Sequence, residues 1–257
     1  MKKWATLFAR SFDMQLYDMH THILPAFDDG AKTVEDSISL IENLKNQGVN
    51  NICLTPHFYT NEHSLDRFLE KREKAFNRLK PYIPDDVNVV LGTEIYVTSY
   101  LFNNDDLSQI TYGKSNYILT EFPYEMEFNE KDMQWVYILV QNHGLIPVLP
   151  HVERYDYLMN HIDRIRDLKE LGMVIQTNIS RYTNKASFFN KRKLMKMIDS
   201  GLIDILGSDA HSFTHNTPEV FTEACDNIAA KCGTHKLRMM MHNSKKIFNA
   251  AAGIEEY

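Results

Sequence analysis

Short apolar runs alternate with amphipathic stretches along most of the chain. Seven runs read as buried strands: Leu16–His20, Asn51–Thr55, Val87–Gly92, Tyr117–Glu121, Ile146–Pro150, Val174–Asn178 and Ile203–Gly207. Between them lie helical patterns. Thr33 precedes Val34, and Ile38, Ile41 and Leu44 then recur at helical spacing up to Gly48. Ser64 opens a charged helix over Leu65–Lys80, and further helices are expected over Glu130–Gln141, Ile162–Leu171, Lys191–Asp199, Thr217–Lys231 and Ser244–Ala251. A strand followed by a helix, repeated, predicts parallel strands joined by crossover helices. Seven such units in 257 residues predict an α/β fold of one domain, a closed or nearly closed (β/α) barrel. An open doubly wound sheet is the alternative. It usually carries a Gly-rich phosphate loop after its first strand, and none follows Leu16–His20.

Composition narrows the function classes. The net charge of −6 disfavours sequence-independent nucleic-acid binding, which rests on clustered Lys and Arg. Three cysteines without a Cys-x-x-Cys pair suggest reduced thiols in a cytoplasmic protein. No run of 18 apolar residues predicts a transmembrane helix. The apolar run in Met1–Arg10 is too short for a signal peptide, so residues 1–15 are expected to form an N-terminal arm docked on the domain. A weak membrane-surface contact through that arm is the alternative.

The chemistry lies in where certain side chains fall. At or just past the strand ends come His20 and His22 with Asp28 and Asp29, then His57, Glu94, Glu121, and His151 with Glu153 and Arg154, then Asn178, and last Asp209 and His211. In a parallel barrel these ends share one face, the face on which barrel enzymes place their chemistry. Clustered carboxylates repel, and clustered neutral imidazoles present lone pairs to one another. Cations resolve both problems. His20, His22, His57, His151 and His211 with Asp29, Glu94, Glu121 and Asp209 make nine candidate ligands. A tetrahedral zinc needs four, so two or three ions are expected, with a carboxylate bridging. Mixed nitrogen and oxygen donors fit manganese, iron or zinc. His63, His143, His161, His235 and His242 read as solvated surface residues.

At these residues the chain resembles the PHP (polymerase and histidinol phosphatase) superfamily. More narrowly, it is similar to the capsule-type protein tyrosine phosphatases that accompany bacterial polysaccharide-export tyrosine kinases. The opening segment from Asp18 to Lys32 contains His20-Thr-His22 and Asp28-Asp29-Gly30. Thr55-Pro56-His57, Gly92-Thr-Glu94-Ile-Tyr96, Thr120-Glu121-Phe122, His151-Val-Glu153-Arg154-Tyr155 and Gly207-Ser-Asp209-Ala-His211 follow in order. The resemblance runs from about Asp18 to Ala251. It implies a distorted seven-stranded (β/α) barrel of the PHP type and a trinuclear centre, usually loaded with manganese. It further implies one ion on His20, His22, Glu94 and Asp209, a second on Glu94, Glu121 and His151, and a third on Asp29, His57 and His211. The implied substrate is a phosphotyrosine protein.

The capsule phosphatases usually carry an arginine shortly after the Asp-x-His motif; here Ser212–Thr217 contains none. His215 or Lys185 is the expected substitute, beside Arg154 as the main phosphate clamp. Otherwise Arg154 would simply pair with Glu153 or Asp156. Asp209 is a candidate proton donor. Three divalent ions against the four carboxylates leave a charge of about +2, which attracts a phosphate dianion. Phe58, Tyr59, Tyr96, Tyr124 and Tyr155 near the strand ends are expected either to pack or to stack on a phosphotyrosine ring. Competing functions are a small-metabolite phosphatase of the histidinol phosphate type and a non-catalytic partner of the kinase.

Overall fold

The computed structural model describes residues 14–254. The N-terminal arm expected over residues 1–15 therefore falls, apart from Met14 and Gln15, outside the described residues. Nine strands run in the order β1 (Leu16–Thr21), β2 (Val49–Leu54), β3 (His57–Tyr59), β4 (Asn88–Leu91), β5 (Glu94–Tyr96), β6 (Tyr117–Glu121), β7 (Ile146–Leu149), β8 (Val174–Asn178) and β9 (Ile205–Gly207). They form a three-stranded sheet, β1-β2-β4, and a six-stranded sheet, β3-β5-β6-β7-β8-β9. Every named strand pairing is parallel. The fold is thus mixed α/β with parallel sheets.

The nine strands occupy the seven expected segments and their immediate continuations. Pro56 has no N–H for a ladder, so the chain that forms β2 breaks and resumes as β3. Gly92 and Thr93 separate β4 from β5. Bonds span both breaks: Gly92 N–H donates to Leu54 O at 2.8 Å, and Glu94 N–H to Pro56 O at 3.1 Å. The first and last strands also meet. Asp209 N–H donates to His20 O at 2.8 Å and His22 N–H to Ala210 O at 2.9 Å.

The helices are α1 (Val34–Asn46), α2 (Leu65–Leu79), α3 (Glu130–Gln141), α4 (Asp156–Asn160), α5 (Ile162–Glu170), α6 (Phe188–Asp199), α7 (Phe221–Cys232) and α8 (Thr234–Ala252). Thr33 with Asp36 and Asn129 with Asp132 form capping boxes on α1 and α3, satisfying amides that the first turn leaves unpaired. Leu40, Ile41 and Leu44 turn the apolar stripe of α1 into the core. Three helices depart from expectation. Pro218 opens a 3₁₀ turn, Pro218–Val220, so α7 starts four residues late. α6 begins three residues early, and α8 ten residues early, with Leu237, Met240 and Met241 packed inside. Cys53, Cys225 and Cys232 are buried and free. Among the described residues no helix is long and apolar enough to cross a membrane.

Two glycines matter for the site because backbone must pass close to a histidine. A Cβ at Gly30 would lie 1.9 Å from His22 O, and one at Gly207 would lie 2.7 Å from His20 Cβ. Any side chain at either position would displace one of the paired histidines.

Candidate metal centre

The nine expected ligands converge on one region: most lie at or past the C-terminal end of a strand, while His57 and Glu94 open the short strands β3 and β5 that continue β2 and β4. β1 sends His20 and then, one residue past its end, His22 to the same side, because alternate residues of extended chain share a face. Their Nε2 atoms stand 3.1 Å apart. Glu94, the first residue of β5, puts Oε2 at 3.2 Å from both nitrogens and 3.0 Å from His57 Nδ1. Its other oxygen lies 3.0 Å from His151 Nε2, which is 3.4 Å from Glu121 Oε1. Asp209 Oδ1 lies 3.4 Å from His22 Nε2 and 3.6 Å from His20 Nε2. Asp29 Oδ1 lies 3.3 Å from His211 Nε2 and 3.7 Å from His57 Nε2.

Buried charge must be paired or hold a cation. Glu94 Oε2 is buried and has no aligned hydrogen bond despite three imidazole nitrogens within reach; His57 Nδ1 and His151 Nδ1 are likewise unbonded. Atoms that crowd together without hydrogen-bond alignment suit a common ion rather than one another. Three groups have ligand atoms close enough to share an ion: His22, Asp29, His57 and His211; His20, His22 and Glu94; and His57, Glu94 and Glu121. Glu94, His22 and His57 each belong to two groups. This sharing extends the grouping implied by the resemblance, which put only Glu94 between ions.

Partners behind the ligands set the tautomers. Asp28 Oδ2 accepts from His22 Nδ1 at 2.9 Å. Gln176 Oε1 lies 3.3 Å from His20 Nδ1 and accepts from His151 N–H at 2.7 Å. The Asp209 carbonyl accepts from His211 Nδ1 at 2.7 Å. The ring contacts of His20, His22 and His211 through Nδ1 leave Nε2 with its lone pair facing the centre, the form a metal needs. Burial raises the Asp28 pKa, but His22 and the Gly30 amide outweigh it and hold the carboxyl well below its usual range. His151 shows the opposite balance. Burial favours its neutral form, yet Glu121 and Glu94 push its pKa up to about 9 in the metal-free protein.

Arg154 departs from its bland expectation. It pairs with neither Glu153 nor Asp156; its Nη2 donates to Asp209 Oδ2 at 2.6 Å. Asn178 Nδ2 and Asn216 Nδ2 donate to the same oxygen at 2.9 and 2.8 Å. Glu153 instead accepts from Thr177 Oγ1 and Asn178 N–H, bracing β8. His215 is exposed, with its ring 5.1 Å from that of His211, and Lys185 is exposed on the segment leading to α6.

The profile of the capsular polysaccharide synthesis CpsB/CapC family matches residues 16–249. The chain belongs to this family. It is 32% identical over 246 residues to the tyrosine-protein phosphatase CpsB of Streptococcus pneumoniae, covering 90% of this chain and 98% of that protein. It is 30% identical over 209 residues to the tyrosine-protein phosphatase YwqE of Bacillus subtilis, covering 77% and 78% respectively. A crystal structure from work on YwqE and CpsB, described as unique metal-dependent tyrosine phosphatases, superposes with a TM-score of 0.77 at 26% identity. That match covers 94% of this chain and 96% of the other.

In this CpsB/CapC member several residues that serve the centre were not singled out as site residues by sequence reasoning. Gln176 lies inside a strand and looks like a core polar residue until β7 and β1 bring His151 and His20 to it. Asp28 and Asp29 both follow β1, and nothing local in the sequence separates the bracing place of the one from the exposed place of the other. Asn216 has φ +46°, and His151 and Asp209 also adopt left-handed backbone, at φ +34° and +56°. Such residues store about 1–3 kcal/mol of strain each, and sequence gives no sign of it. Of the aromatic residues, Phe58 and Tyr155 are buried, and the Tyr155 hydroxyl accepts from Phe122 N–H at 2.9 Å. Tyr59, Tyr96 and Tyr124 are half-buried.

Proposed function

We propose that this chain is a metal-dependent phosphoric monoester hydrolase that removes phosphate from phosphotyrosine in protein. The observation that carries the reading is the buried, unbonded Oε2 of Glu94 among three imidazole nitrogens, with a guanidinium beside the same cluster. Membership of the CpsB/CapC family supports the phosphotyrosine substrate, and a polysaccharide-export tyrosine kinase in the cytoplasm is the protein we assign to it. The fold is read as one domain, a distorted barrel of seven staves. Strands β2 with β3 and β4 with β5 each make one stave, and the bonds between Asp209 and His20 and between His22 and Ala210 support closure.

Manganese is the proposed resident ion, with iron or zinc the alternatives that the donor set also fits. His20, His22, Glu94 and Asp209 would hold one ion, Glu94, Glu121 and His151 a second, and Asp29, His57 and His211 a third. Such ions supply Lewis-acid stabilisation of phosphoryl charge and lower the pKa of water towards neutrality. The chain's own residues do the positioning. Asp209 divides its labour: Oδ1 faces the imidazoles, while Oδ2 anchors Arg154. Arg154 spends one donor on that anchor and offers its remaining N–H groups to phosphate oxygens, in the planar fork that suits them. Asp209 is an ionised anchor and not a proton donor, because three donors saturate Oδ2 and its carboxyl sits well below the usual range. A tyrosine phenolate has a conjugate pKa of about 10, so departure needs no strong acid. Tyr59, Tyr96 and Tyr124 would flank the phenyl ring.

Elemental analysis after manganese loading, with kinetics on a phosphotyrosine peptide and on histidinol phosphate, tests the reading. Two or three ions per chain and a preference for the peptide are expected. One equivalent or fewer, or a preference for histidinol phosphate, overturns it.

A further inference from the structure

Phe188 and Phe189 open α6 with 67% and 80% of their surface exposed. Their rings meet edge to face at 5.8 Å, so they form one apolar knob rather than two scattered side chains. Beside them a groove of about 400 Å³ is lined by residues of α6 and α7. Phe188 and Met195 are its apolar lining, and Lys191, Arg192, Lys196 and Lys231 contribute four cations against the single carboxylate of Asp199. Lys191 Nζ donates to Thr183 O at 2.9 Å. Among the described residues Arg192, Lys196 and Lys231 have no ion-pair partner. The chain as a whole carries −6, so these cations are a local concentration and not a general property of the surface.

The groove lies close to the metal centre along the chain. Asn178 ends β8 and bonds Asp209, and Asn184, six residues on, already lines the groove. Six residues span at most about 22 Å, and the intervening 3₁₀ turn, Ile179–Tyr182, shortens that reach. A peptide leaving the centre could enter the groove within about six extended residues.

We propose that this groove docks an acidic segment of the phosphoprotein substrate, carrying an apolar side chain that packs on Phe188. The inference rests on the phosphatase reading above. Four cations complement carboxylates, and the phenylalanine knob supplies the apolar anchor that charge attraction lacks.

The test uses the full chain, loaded with metal, and two phosphotyrosine peptides. One carries four glutamates placed three to seven residues from the phosphotyrosine; the other has glutamines there. The glutamate peptide is expected to show a kcat/KM at least ~10-fold higher, mainly through KM, with the advantage fading at high salt. Arg192→Glu with Lys196→Glu should bring the ratio close to one while metal content and the far-UV spectrum stay as in the wild type. If that variant does not fold, the salt dependence of the wild-type ratio decides. Equal kcat/KM on the two peptides overturns the proposal, as does a folded double variant that keeps the preference. Capture of the wild type by phosphatidylglycerol vesicles without a peptide preference assigns the groove to a membrane and overturns it too. Hydrolysis of neither peptide overturns the phosphatase reading instead. The groove is then tested by direct titration, where equal affinities for the two peptides overturn docking.

Discussion

His20, His22 and Glu94 sit among the strand ends with 1% exposure or less, whereas the Asp29 side chain is 67% exposed. The inner residues are held from behind as well as buried: Asp28 fixes His22, and Gln176 touches His20 and the backbone of His151. Among the described residues Asp29 pairs with His57 and His211, both more than 3 Å away. The inner half is therefore preorganised by the fold, and the outer half is assembled from a loop carboxylate and two imidazoles. Ligands whose orientation is already fixed lose little freedom on binding an ion, so the inner positions should bind tightly and the outer one should exchange.

Removing the charge that the inner half shares should have the largest effect. Glu94→Gln is expected to lower kcat on a phosphotyrosine peptide by about 100- to 1,000-fold, the scale seen when a main electrostatic element is lost. A variant with near wild-type turnover would break the distinction, since Glu94 would then be dispensable. Bracing comes next. Gln176→Leu should weaken the tightest ion by about 10- to 100-fold, whereas Asp29→Asn should leave that ion in place and weaken only the most labile one. Titration with graded chelators separates the two, and equal losses in both variants would erase the difference between the halves.

The clamp on the inner rim should matter less than the ligands. Arg154→Lys is expected to lower kcat/KM by at least ~10-fold, about 1.4 kcal/mol, because an ammonium cannot reproduce the planar pair of donors. Metal content should not change, as a guanidinium offers no lone pair to a cation. Wild-type kinetics in this variant would direct the search to His215.

The smallest effect concerns pH in the metal-free protein. The His151 pKa is raised to about 9, so its pairing with Glu121 and Glu94 stabilises the fold fully below about pH 6.5 and is lost as pH rises through 9. Asp18, which burial raises to about 7, acts with the same sign at lower pH: it is neutral in the fold where the unfolded chain is already ionised. The melting temperature should fall by several degrees between pH 6.5 and 9, measured by calorimetry after chelation. A melting temperature that does not fall over that range would mean that His151 is neutral throughout.

Local signals carried a good part of the architecture. Thr33 and Ser64 mark true helix starts, and α3 covers the expected Glu130–Gln141. The strand segments fall where the apolar runs lie, with ends shifted by one or two residues. The expected solvated histidines His63, His161, His235 and His242 are exposed, and His143 is half-buried beside Phe102. The misplaced starts of α6 and α8 have a common cause. Phe188–Asn190 and Thr234–Asn243 have no side-chain cap before them, and helix there depends on packing against neighbouring elements.

What the chain determined by itself is the order of strands and helices and the placement of His20, His22, Asp29, His57, Glu94, Glu121, His151, Asp209 and His211 at strand ends. Both are encoded over a few residues, in the period of apolar positions and in short motifs. The tertiary structure alone decided which of those side chains share neighbours. It put His57 between Glu94 and Asp29, gave Asp28 and not Asp29 to His22, and tied Arg154 to Asp209. Arg154 and Asp209 are 55 residues apart, and Gln176 reaches across 156 residues to His20. Contacts over such separations depend on strand register and on the angle at which each chain leaves its strand, and both are set only when the whole core packs.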